Sequence, residues 1–142
     1  MPFVLDASVA ISWCFPGDPT EDTPYSRRIL KEMISDDAVV PEIWGFEIAN
    51  NIFVSCNRRK RITEQQVQEY LGLLKALPIR VSPQPLWANV DLESTARRHN
   101  LAAYDVAYLD LARRMGIPLA TSDGPLSDAA KASGIRIPGF GQ

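Results

Sequence analysis

"FVLDASVAISW", Phe3 to Trp13, decides how the chain is read. Three apolar residues run straight into Asp6, and a second apolar run comes after it. A segment that short reads as a buried strand, "FVL", leading into a helix over "ASVAISWCF". A buried strand that ends on a carboxylate needs a reason, because a buried charge is costly unless it is paired or bound to a cation.

Working outward, the same strand-then-helix rhythm recurs. Residues 16–24, "PGDPTEDTP", form a loop punctuated by prolines and a glycine. Ile29, Leu30, Met33 and Ile34 fall at helical spacing between Tyr25 and Ile34. "AVVP" is a second strand, closed by Pro41. A long helix is expected over "EIWGFEIANNIFVSCNRRKR", with Trp44, Ile48, Ile52 and Phe53 on one stripe. "TEQQ" (63–66) has capping-box form and opens a helix carrying Val67, Tyr70, Leu71 and Leu74. Pro78 stops it, and "IRV" (79–81) is a third strand. Leu86 to Arg98 reads as one helix and "AAYDVAYLDLARRMG" as another, ended by Gly116 and Pro118. "PLAT" is a strand, "PLSDAAKAS" a short helix and "IRI" (135–137) a last strand. Helices alternating with short strands predict an α/β sandwich with a mostly parallel sheet, in one domain spanning residues 1–142.

Composition narrows the function classes. With 142 residues, 46% of them hydrophobic and 23% charged, the chain has the make-up of an ordinary globular protein. No apolar run is long enough to span a bilayer. The first apolar run has no basic segment before it and carries Asp6, so no signal peptide is expected and a cytoplasmic location is. Cys14 and Cys56 match no metal or redox spacing, and the single histidine, His99, excludes a histidine-rich zinc site. A net charge of −2 argues against a generally basic nucleic-acid binder while leaving local patches open.

The acids carry the chemistry. In open α/β sheets ligands bind beyond the carboxyl ends of the strands. Asp6 comes directly after the first strand and Asp123 after "LAT", so both land on that rim, where each is equally readable as a helix N-cap. Asp105 shares a stripe with Leu101, Tyr108, Leu109 and Ala112, which faces it toward the core. Asp110, beside Arg113 and Arg114, is expected to form a solvated ion pair. Glu47 lies between Phe46 and Ile48 in an apolar helix, the plain alternative being an exposed glutamate. Four acids near one rim, without histidine or a catalytic cysteine, point to Mg2+ or Mn2+ held by oxygen ligands. Such a cluster is expected to raise the pKa of at least one member by repulsion. "RRKR" (58–61) is either an RNA-phosphate contact or a solvated helix end, and His99 is placed at a helix end. Trp13, Trp44 and Trp87 are read as core or interface aromatics, and Asp128 as a surface acid.

"VLDASVAISW", "PEIWGFEIANNI", "AAYDVAYLDLA" and "LATSDGPL", in this order, resemble the PIN domain, and within it the VapC-type toxin ribonucleases of bacterial and archaeal toxin–antitoxin pairs. The resemblance runs from Phe3 to about Ile137. It implies a three-layer α/β/α sandwich with a mostly parallel five-stranded sheet. It also implies that Asp6, Glu47, Asp105 and Asp123 are the catalytic, metal-holding acids, with Ser8 and Thr121 supporting them. The implied activity is Mg2+- or Mn2+-dependent endonucleolytic cleavage of RNA, by a homodimer inhibited by a small antitoxin protein. Two alternatives stand beside it. One is a metal-dependent nuclease of RNA processing or DNA flap type without an antitoxin. The other is a magnesium-binding phosphoacceptor module, which the lack of an Asp after "AVVPE" and "IRVSP" and of a Lys after the last strand disfavours.

Overall fold

In the computed structural model, which describes residues 1–138, β1 (Phe3–Leu5) lies at the centre of a parallel sheet. It pairs on one side with β2 (Ala38–Val40), Phe3 opposite Ala38, and on the other with β4 (Leu119–Ala120), Val4 opposite Leu119. β2 in turn pairs with β3 (Ile79–Val81), giving the order β3-β2-β1-β4. Val4, Leu5, Val40 and Leu119 are fully enclosed, as expected of short strands covered on both faces by helices. Because every pairing is parallel, Asp6, Pro41, Ser82 and Thr121 leave the sheet along one rim.

The expected fifth strand is not formed. Residues 135–137 run beside β4, and the Leu119 N–H donates to the Arg136 carbonyl at 2.9 Å. The segment lies between Gly134, at positive φ, and Pro138, which has no N–H to give, so regular pairing has no room to extend.

Helices flank the sheet on both sides. α7 (Ala103–Met115) packs on β1 and β4 and holds α6 (Leu92–His99) and α8 (Gly124–Ala132) against it. α1 (Ala7–Ser12) packs with α2 (Pro24–Glu32) and α3 (Ile43–Phe53). Capping fixes several ends. Thr63 and Gln66 form the predicted capping box at the start of α4 (Glu64–Ala76), and Thr23 with Ser26 forms a second one at α2. Gly116 ends α7 in the left-handed region, as its position suggested.

Three elements differ from expectation. The long helix after β2 stops at Phe53 and continues as a π-helical turn, Val54–Arg58; Phe53, about 100° round the helix from Ile52, lies off the stripe and is exposed. Arg61 then turns back, bridging Asp18 at 3.0 Å and lying over the Phe15 ring, so it fastens the 16–24 loop rather than standing free. The helix expected from Leu86 to Arg98 is two, α5 (Leu86–Val90) and α6, separated at Asp91.

Asp110 is the third. It is only 9% exposed. Arg113 and Arg114 donate to its two oxygens at 2.9 and 2.7 Å, and the Gln84 side-chain amide adds a third bond at 3.1 Å. The Gln84 backbone N–H donates to Glu42 at 3.1 Å, so Asp110 ties α7 to the loop after β3, and Glu42 ties that loop to the start of α3. Sequence spacing finds the two arginines; it does not see the loop that closes over them. Replacing Asp110 with Ala leaves Gln84 without its partner, while the more exposed arginines recover water. Urea unfolding is expected to show a loss of about 1–2 kcal/mol.

Candidate active site

Asp6 leaves β1 with its N–H bonded to the Ala120 carbonyl at 2.9 Å, so the backbone that positions it is part of the sheet. Its side chain is 3% exposed. The hydroxyls of Ser8 and Thr121 both donate to the same carboxylate oxygen, Oδ2, at 2.7 Å each. Each hydroxyl also accepts a backbone N–H at 3.0 Å, Ser8 from Ser122 and Thr121 from Asp123. Two main-chain amides beyond β4 are thus relayed through hydroxyls onto one acid at the end of β1. Asp6 does occupy the N-cap position of α1, but its carboxylate is engaged mainly by the two hydroxyls rather than by the helix. Asp123 does cap: its Oδ1 accepts the Leu126 N–H at 2.9 Å.

Glu47, half-buried on α3, accepts a 2.5 Å hydrogen bond from the Tyr108 hydroxyl. Tyr108 is fully buried and stands one helical turn beyond Asp105 on α7. The sequence placed it on the Asp105 stripe as a core residue, and it is one. What the stripe did not reveal is the phenol reaching a carboxylate on another helix, although a buried tyrosine hydroxyl needs some partner. Asp105 is half-buried, less enclosed than the stripe implied, because it sits in the first turn, where the rim opens to solvent.

Burial is the first cause that pushes the carboxyls of Asp6, Glu47 and Asp105 above their usual range. The Ser8 and Thr121 hydroxyls pull Asp6 back down, and Tyr108 does the same for Glu47. Mutual repulsion acts in the same direction as burial but is smaller. Asp123 repels Asp6 and Asp105, and Asp6 repels Glu47 and Asp105. Asp6, Glu47 and Asp105 are therefore coupled, and Asp123 acts on Asp6 and Asp105, with desolvation rather than repulsion the larger cause for the three. Among the described residues, no three Asp, Glu, His or Cys side chains converge closely enough to enclose an ion by themselves. The donors on offer are carboxylate and hydroxyl oxygens, which suit a hard cation that keeps waters and takes further ligands from a phosphate.

His99 ends α6, and Asp128 is exposed on α8, both away from this group as expected. Trp13 is in the core, its indole N–H bonded to the Ser26 carbonyl at 2.8 Å; Trp44 is partly buried against the core, and Trp87 is exposed.

A carboxyl with a folded pKa above its unfolded one binds more protons folded than unfolded. Its favourable contribution is full below the unfolded pKa and is lost as pH rises through the folded value. At neutral pH the ionised, buried Asp6 therefore destabilises the metal-free fold. Asp6→Asn, which keeps an acceptor for Ser8 and Thr121, is expected to raise the metal-free melting temperature by a few degrees, about 1 kcal/mol for a chain of this size. The gain is expected to disappear toward about pH 3, below the usual aspartate range, and melts across pH check both arms.

The PIN domain model matches residues 3–132. The chain is 25% identical over 131 residues to Ribonuclease VapC3 of Pyrobaculum aerophilum, covering 90% of this chain and 94% of that protein. The crystal structure of VapC20 of Mycobacterium tuberculosis, described as a sarcin-ricin loop cleaving toxin, superposes with a TM-score of 0.65 at 16% identity, over 89% of this chain and 94% of that one. PAE2754 from Pyrobaculum aerophilum gives 0.63 at 18% identity, over 89% and 77%. The two solved structures share the fold, and the family model spans nearly the whole of it: the chain belongs to the PIN domain family.

Proposed function

We propose that this chain is a divalent-cation-dependent endoribonuclease, the toxin of a toxin–antitoxin pair, that hydrolyses RNA phosphodiester bonds at Asp6, Glu47, Asp105 and Asp123. The observation that carries the reading is Asp6. It is a carboxylate buried at the end of the central strand, oriented by two hydroxyls, with three further acids within electrostatic reach. Such a group is expensive without a cation and apt with one. The names of its relatives, a VapC ribonuclease and a toxin that cleaves the sarcin-ricin loop, support the choice of RNA over DNA and of a toxin over a processing enzyme.

Asp6, Glu47, Asp105 and Asp123 would hold Mg2+ or Mn2+, with water and the scissile phosphate completing the shell. When bound, the cation supplies charge neutralisation at the phosphate and lowers the pKa of water, the two demands of an in-line hydrolysis. The chain's own share is orientation. Ser8 and Thr121 fix which face Asp6 offers, and Tyr108 locks the Glu47 rotamer by donating to Oε1. Because burial favours the protonated acids, the site has low affinity for a cation in acid and gains it as the carboxyls ionise.

An active ribonuclease endangers its own cell, so a small antitoxin partner belongs to the reading. So does a homodimer, since Leu86, Trp87 and Val90 on α5 are exposed and give a second copy an apolar face to cover. The site of action is the cytoplasm; no helix among the described residues is long and apolar enough to cross a membrane.

Purified protein is expected to cut RNA with Mg2+ or Mn2+ and to stop in EDTA. Asp105→Asn should lower the rate at least about a hundredfold without lowering the melting temperature. Expression in the host should arrest growth, with relief from Asp6→Ala and from the neighbouring small gene. Cleavage that persists in EDTA, in a preparation free of other nucleases, rejects the metal mechanism. A soluble, well-expressed chain that is harmless and binds no product of that gene rejects the toxin.

A further inference from the structure

The two helices that carry Glu47 and Asp105 each present an aromatic ring one residue earlier. Phe46 on α3 is 74% exposed and Tyr104 on α7 is 60% exposed. Both rings line one cavity of about 320 Å3 on the β2–β3 side of the rim. Glu47 and Asp105 are their immediate chain neighbours, about 3.8 Å away at Cα, although neither acid lines the cavity itself.

The rest of the lining is mostly apolar, with a few polar side chains held in place among it. Gln84 and Arg114 both line the cavity, and both donate to the buried Asp110, at 3.1 and 2.7 Å. Glu42, also on the wall, accepts the Gln84 backbone N–H. The anchoring uses the Nε of Arg114 and leaves its terminal N–H groups toward other partners. The cavity therefore offers two flat apolar faces and a preorganised set of donors and acceptors.

That combination selects the occupant. An aliphatic anchor from a partner helix would cover Gln84, Arg114 and Glu42 and satisfy none of them, at a cost for each. A second copy has the open apolar face of α5, beside the cavity, to cover. A nucleobase has two π faces and a hydrogen-bonding edge, the recognition mode of unpaired RNA. The volume lies at the small end of ligand pockets, which fits one base rather than several.

We propose that this cavity is a nucleobase subsite: one unpaired base of the RNA, next to the scissile phosphate, stacks on Phe46 and Tyr104 while Arg114 and Gln84 meet its edge. It thereby sets which sequence is cut. The inference rests on the ribonuclease reading above.

The test uses single-stranded oligoribonucleotides carrying 2-aminopurine, or an abasic nucleotide, at successive positions around the cleavage site. Wild type and the double variant Phe46→Ala/Tyr104→Ala are compared. Both rings are exposed, so the variant should fold, and its melting temperature checks this. In wild type, stopped-flow fluorescence before turnover should show quenching at one position only, and the variant should lose it. kcat/KM on the intact oligonucleotide should fall about 5- to 100-fold in the variant, mainly through KM. The abasic nucleotide at that position should cost wild type a similar factor and the variant nothing. Equal losses on intact and abasic substrates, or no loss, overturn the proposal. So does a variant that keeps its substrate selectivity but changes its sedimentation or its antitoxin binding, because a second copy or a peptide then fills the cavity. Position-specific quenching by a wild type that cuts no RNA keeps the subsite and rejects the ribonuclease reading.

Discussion

Burying the Asp6 carboxylate at the end of the central strand is the constraint around which the surrounding structure is arranged. The position is not free to move: the Asp6 N–H belongs to the β1–β4 pairing, and Oδ2 takes the hydroxyls of both Ser8 and Thr121. Those hydroxyls in turn depend on the amides of Ser122 and Asp123. The loop after β4 is therefore shaped by the same acid that ends β1. Asp123, whose side chain caps α8, receives its place from this arrangement. A residue without an acceptor at position 6 would leave the Ser8 and Thr121 hydroxyls unanchored and let the loop relax.

The same burial explains how a chain of net charge −2 can act on a polyanion. Carboxyls raised by desolvation bind protons or cations, and at neutral pH a hard divalent ion is the competent partner. Were the proposed cation bound, the rim would change sign locally and attract a phosphate rather than repel it. No general basic surface is then required. The basic run at 58–61 is partly committed to structure, since Arg61 holds the 16–24 loop and Arg58 lies over Phe53. Arg59 and Lys60 remain exposed.

Much of this was legible in the sequence where local signals and burial agree. The strands Phe3–Leu5, Ala38–Val40 and Ile79–Val81 are short apolar or β-rich runs bounded by helices and prolines, and they form. The Thr63–Gln66 capping box and the Gly116 stop are local chemistry and also hold. The failures lie where the outcome depends on more than helical spacing or strand pattern. Asp110 looked solvated because Gln84 and its loop are not visible from helical spacing. The π-helical turn after Phe53 is held by the chain beyond it, as far as Arg61, whose N–H reaches the Ser55 carbonyl. For the acids, the sequence pointed to one rim. It overstated repulsion among them, because desolvation depends on neighbours such as Tyr108 that a linear pattern cannot rank.

α3 and α7 do two jobs at once, and helical geometry is why. Neighbouring side chains on a helix point about 100° apart, so consecutive residues serve different sites. Glu47 and Asp105 turn toward Asp6, while Phe46 and Tyr104 turn to the cavity beside it. Tyr108 links the helices through Glu47, and Asp110, two residues on, secures the far wall of the cavity. A shift of α7 would disturb both at once. On the proposed function, chemistry at the phosphate and recognition beside it would be coupled by two rigid elements rather than by a mobile loop. That arrangement lets the cavity wall vary in side chain, and hence in preferred base, without moving the acids.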